Sequence, residues 1–90
     1  MQTRLHIIVT GRVQGIGYRV HCSREAKSLG VTGWVRNNPD GSVEVVAEGD
    51  DVAVNELADW CRAGHPFAKV QEVDVTVEEP RGEPSFRVIR

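Results

Sequence analysis

The sequence predicts an α+β fold, with two helices on one face of an antiparallel sheet. The element order is β-α-β-β-α-β with a short extra C-terminal strand. Three observations predict it. Apolar side chains alternate in Arg4–Thr10, Val31–Asn37 and Ala68–Glu78, which marks half-buried strands. They recur at helical spacing from Tyr18 to Leu29 and from Asp51 to Ala63. Turn and capping residues stand between these segments.

The first strand carries Leu5, Ile7 and Val9 on one face. Residues 11 to 17, GRVQGIG, are a glycine-punctuated loop. In the helix that follows, Tyr18, Cys22, Ala26 and Leu29 share one face, and Gly30 is placed to end it in a left-handed conformation. The second strand has Val31, Gly33 and Val35 on one side and Trp34 on the other. Asn38-Pro39-Asp40-Gly41 is a turn, because Pro39 fixes φ and Asp40 can bond its own backbone. Ser42–Gly49 therefore pairs with the second strand as a hairpin. Asp50 and Asp51 cap a second helix whose apolar side holds Val54, Leu57 and Cys61, with Trp60 beside them. Gly64 and Pro66 stop it. Val73, Val75 and Val77 alternate through the fourth strand, and Phe86 and Val88 carry the last. This order is the ferredoxin-like, split β-α-β arrangement.

At 90 residues the chain is a single domain, 1–90, with room for one modest core. The net charge of −2 gives no reason to expect nucleic acid as a partner. Its distribution is uneven. Residues 1–39 hold six basic side chains against one acid, and residues 40–90 hold five against twelve. A cationic first half suits a small anionic ligand, though halves of a sequence need not be halves of a molecule. No apolar run approaches the ~20 residues that span a bilayer, and no secretory signal is visible, so no membrane association is expected and the cytoplasm is the expected compartment. Cys22 and Cys61 belong to no CxxC pair. Reduced, buried thiols are expected, with a disulfide between two neighbouring helices as the alternative.

Chemistry concentrates in Gly11–Arg19, GRVQGIGYR. Glycines let main chain approach a ligand, and successive N–H groups in such a loop can converge on an anion. The following helix N-terminus adds partial positive charge. Arg19, in the first helical turn, can grip two phosphate oxygens with its planar guanidinium. The segment is neither a GxxxxGK[ST] loop nor a GxGxxG fingerprint. On loop chemistry alone a phosphate site and a plain connector with a surface arginine both stand. Asn37, at the end of the second strand, offers an acceptor and two donors that can hold a water, but turns favour Asn for their own reasons.

GRVQGIGYR followed by EAKSLGVTGWVRNNPDGSVEVVAEG resembles the signature of the acylphosphatase family, most closely from about Leu5 to Gly49 and more loosely to Arg90. The resemblance implies a metal-independent, cofactor-free hydrolase of acyl phosphates, with inorganic phosphate and other small anions as further ligands. It implies that the backbone of Gln14, Gly15, Ile16, Gly17 and Tyr18 binds the phosphoryl group. Arg19 then closes that loop, and Asn37 orients the attacking water. A carboxylate leaves readily, so positioning and charge stabilisation suffice and no strong general acid is needed. Ile16 and Tyr18 stand where Val and Phe are commoner in the family, and the added Tyr18 hydroxyl is expected beside the loop, where it can tune access.

Other residues are expected to be bystanders. His6, His21 and His65 share no ligand spacing. Trp34 and Trp60 are read as packing residues, Arg12 and Arg36 as surface charges flanking the site, and Glu44 and Glu48 as solvated. The rival for this fold is a binding module. An RNA-recognition domain needs exposed aromatics, and His6, Ile8, Val45 and Ala47 make a poor stacking surface. A metal chaperone needs a paired-cysteine loop, which is missing. A phosphate- or carbamoyl-phosphate-binding domain, such as occurs within larger maturation proteins, remains open. A monomer is the default state.

Overall fold

The computed structural model describes residues 1–90. The elements are β1 (Gln2–Arg12), α1 (Tyr18–Leu29), β2 (Thr32–Asn37), β3 (Val43–Asp50), α2 (Asp51–Ala63), β4 (Lys69–Glu78) and β5 (Phe86–Ile89). One five-stranded sheet has the order β4-β1-β3-β2-β5. The expected ferredoxin-like arrangement is present, with one correction: β5 pairs parallel with β2, so the sheet is mixed. After β4 at one edge, residues 79–85 carry the chain to the opposite edge, where it reverses and runs alongside β2.

The register sets Leu5 opposite Ala47, Ile7 opposite Val45 and Val9 opposite Val43. These alternate residues meet Cys22 and Ala26 of α1 and Val54, Leu57 and Cys61 of α2 in one buried cluster. Burial of that apolar face is what holds two short helices on the sheet, since helices of this length are marginal alone. Asp50 accepts the Val52 N–H at 3.3 Å and caps α2, while Gly30 ends α1 with φ 72°. Val45 and Ala47 therefore lie on the helix side. They do not share a surface with His6 and Ile8, which project from the other face beside Val46. On β4, Val75 and Val77 point to the core side yet stay exposed, because β4 is an edge strand with no neighbour beyond it.

At one end of the open face sits a buried ion cluster. Arg4 Nη1 is 2.7 Å from Glu48 Oε2 and 3.0 Å from Glu83, and Arg4 Nε is 2.9 Å from Glu78. Glu48 also accepts the N–H groups of Arg81, Gly82 and Glu83 at 2.7, 3.0 and 3.0 Å. The expectation that Glu48 is solvated is thus overturned: it is 4% exposed and anchors the 79–85 connection. Burial alone would push its carboxyl up, but those N–H groups and Arg4 outweigh burial and hold it at about 2. Glu44 is half-buried, bonded to His6 at 2.6 Å and Arg36 at 2.9 Å.

Candidate active site

The loop between β1 and α1 derives its shape from two glycines. Gly15 and Gly17 have φ of 77° and 82°, and no non-glycine residue has positive φ. The sign of φ therefore alternates from Gln14 to Tyr18, which turns successive N–H groups toward one side as a nest. None of the Gln14–Gly17 N–H groups meets a backbone acceptor. Gly17 is also the N-cap of α1. It offers no side-chain cap, and the first turn contains no acid. The free N–H groups of that turn and their partial positive charge are thus left for an external anion.

Arg19 extends from this first turn. Its Nη1 donates to the carbonyl oxygen of Ile89, the last residue of β5, at 3.1 Å. Asn37 ends β2 on the same end of the sheet. Its Oδ1 is buried and has no hydrogen-bond partner, a costly state for a carbonyl unless a ligand or water completes it. The loop, Arg19 and Asn37 share a cavity of about 530 Å³, within the range of small-molecule sites. Val13, Gly15, Gly17 and Tyr18 also line it, as do Val20, Val88 and Arg90. Val20 and Val88 are 49% and 37% exposed, leaving apolar surface beside the anion nest.

Most of the residues singled out in the sequence meet here. Gly15, Gly17, Tyr18, Arg19 and Asn37 line the cavity. Ile16 instead packs against the core, so only its main chain belongs to the loop. The Gln14 side chain turns away to the 38–42 turn. Tyr18 corrects an expectation: its hydroxyl does not open on the loop. It is buried and donates to the Cys61 carbonyl oxygen at 2.7 Å. Burial first, then the neighbouring Cys61 and Cys22 thiols, push the phenol well above its usual range, so it remains a donor. His21 stacks on buried His65, with centroids 4.6 Å apart, away from the cavity. Arg36 lies over the Trp34 ring on the open face, and Arg12 lines a separate polar groove with Asp40 and Gln71. Neither borders the cavity. Val88 and Arg90 were not foreseen, because only the strand order brings β5 beside β2.

Residues 5–88 match the acylphosphatase family model. The chain belongs to the acylphosphatase family. It is 51% identical over 88 residues to the acylphosphatase of Thermococcus kodakarensis, covering 98% of this chain and 97% of the relative. It is 54% identical over 87 residues to that of Trichormus variabilis, covering 97% and 86%. In three dimensions it is similar to the crystal structure of acylphosphatase from Bacillus subtilis, with a TM-score of 0.94, 37% identity and complete coverage of both chains. The acylphosphatase likeness therefore extends over the whole length, including the β4–β5 region where the sequence resemblance was loosest. No helix is long and apolar enough to cross a membrane.

Proposed function

We propose that this acylphosphatase hydrolyses acyl phosphates in the cavity between the Gln14–Tyr18 loop and Asn37. The phosphoryl group sits in the nest, its oxygens met by loop N–H groups, the α1 N-terminus and the free edge of the Arg19 guanidinium. The Asn37 Oδ1 accepts a hydrogen bond from a water and holds it in line with the leaving carboxylate. Water attacks phosphorus, the P–O bond to the acyl group breaks, and a carboxylate and inorganic phosphate are released. The acyl group rests against Val20 and Val88. Charge stabilisation by oriented N–H groups and arginine is the main demand of phosphoryl transfer, and the loop is built before substrate arrives.

The observation that carries this reading is Asn37, a residue of the same cavity wall as Arg19, whose Oδ1 is buried without a partner. We also propose that the enzyme acts as a monomer. Cys22 and Cys61 are buried in the core between the helices, which suits thiols in the reducing cytoplasm, the compartment we assign. The test is hydrolysis of benzoyl phosphate with a chelator present, beside the Asn37→Ala variant. Chelator-resistant turnover that falls about 100-fold or more in the variant, with phosphate inhibition retained, is expected. Near-normal turnover in Asn37→Ala would remove Asn37 from the mechanism. A folded wild-type protein that binds phosphate without turnover would be a binding domain.

A further inference from the structure

We propose that Gln14 is a positioning residue, whose side chain fixes the separation between the phosphate loop and the Asn37 that holds the water. The proposal rests on the role assigned to Asn37 above. The loop follows β1 and Asn37 ends β2, but β3 lies between these strands in the sheet. No ladder bond can therefore link the two halves of the site. Gln14 supplies the link. Its Nε2 donates to the carbonyl oxygen of Asn38 at 2.8 Å and to that of Ser42 at 2.9 Å. Both partners accept only, so both amide protons are used and the orientation of the carboxamide is fixed.

The two carbonyls belong to a turn that is already rigid. Asn38 N–H donates to the Ser42 carbonyl at 2.9 Å and Gly41 N–H to the Asn38 carbonyl at 3.1 Å. Asp40 Oδ1 accepts from the Ser42 N–H and hydroxyl at 2.9 and 2.7 Å. Ser42 is buried. Gln14 thus ties one end of the anion nest to a stiff hairpin end whose first neighbour is Asn37. No other hydrogen bond joins residues 13–19 to residues 37–42. An in-line attack is sensitive to this separation: a 1 Å displacement of a positioning group costs on the order of 100-fold in rate.

Gln14→Met is near-isosteric and Gln14→Leu slightly smaller, and neither has an amide to donate to the two carbonyls or a charge to set beside the nest. Benzoyl phosphate kinetics, inhibition by inorganic phosphate and thermal unfolding would be measured for each, alone and combined with Asn37→Ala. The expected result is a fall in kcat of about 10- to 100-fold with phosphate inhibition changed less than about 3-fold, since the nest and Arg19 remain. In the Asn37→Ala background the same substitutions should cost less than about 2-fold, because residues acting through one another are not additive. Gln14 variants with wild-type kcat would overturn the proposal. So would an equal loss in both backgrounds, or phosphate affinity lost in step with kcat, which would make Gln14 a support of the loop alone. Wild-type turnover in Asn37→Ala itself would bring down the Asn37 reading and this one together. An Asn37→Ala collapse beside unaffected Gln14 variants would sink only the Gln14 inference. If Gln14→Met does not fold, Gln14→Leu gives the same comparison.

Discussion

Arg19 and Ile89 are joined across 70 residues of chain, the Arg19 Nη1 donating to the Ile89 carbonyl oxygen at 3.1 Å. The contact uses one of the five N–H donors of the guanidinium and leaves four for a ligand in the cavity that Arg19 lines. Arg19→Gln removes charge, fork and aim. Its kcat/KM should fall about 100- to 1,000-fold, with phosphate inhibition weakened in parallel. Arg19→Lys keeps charge but cannot both hold Ile89 and present a bidentate fork, so it should recover only part of the loss. A lysine variant with wild-type kinetics would show that geometry at this position is unimportant.

Gly17 stands at φ 82°, and beyond its two chain neighbours no atom comes within 4 Å of where a Cβ would lie. Gly17→Ala meets conformational strain and no clash, a cost of about 1–2 kcal/mol. The chain can relieve the strain only by turning neighbouring N–H groups out of the nest. Phosphate affinity, read by calorimetry, should therefore drop in Gly17→Ala and be better kept in Gly17→Asn, which tolerates the left-handed region. Unchanged phosphate affinity in the alanine variant would contradict the nest.

The Tyr18 hydroxyl bonds the Cys61 carbonyl inside the core. Tyr18→Phe leaves that carbonyl without this partner and should cost about 1 kcal/mol. For a domain of this size that is roughly a 4–8 °C fall in thermal midpoint. A midpoint equal to wild type would mean that the bond contributes nothing net.

Glu48 gives a pH dependence whose sign is fixed. Its carboxyl lies near 4.5 ordinarily and at about 2 in the folded chain. The stability it contributes is complete above about pH 4.5 and is lost as pH falls toward 2. A difference of this size is worth on the order of 3 kcal/mol. Glu48→Gln should be less stable at pH 7 and should lose less on acidification across that window. Parallel acid-unfolding curves for the two proteins would refute the assignment.

Local signals were legible and long-range ones were not. The span Tyr18–Leu29 could be read from its apolar spacing and from Gly17 and Gly30, because capping is decided within a few residues. The Gly15–Gly17 loop and Asn37 stood out as short segments, but their local chemistry left a plain connector and an ordinary turn open, and only the family resemblance implied their roles. The burial of Glu48 was hidden, since it depends on residues 81–83 arriving from the far edge of the sheet. Val88 and Arg90 were hidden by the same crossing. The Gln14 side chain was hidden because its acceptors are main-chain carbonyls, which leave no trace in residue identity.

The place of β1 between β3 and β4 also bears on how the enzyme comes into being. Synthesis proceeds at about 5–20 residues per second, so β1 leaves the ribosome well before either of its neighbours. The loop proposed to hold phosphate is made before either neighbour of its strand, which has no partner until β3 is complete and remains an edge until β4 arrives. The acceptor that aims Arg19 comes later still, with β5. A nascent chain holding every residue of the loop should be inert, and catalytic competence should appear in one step as the last strand docks.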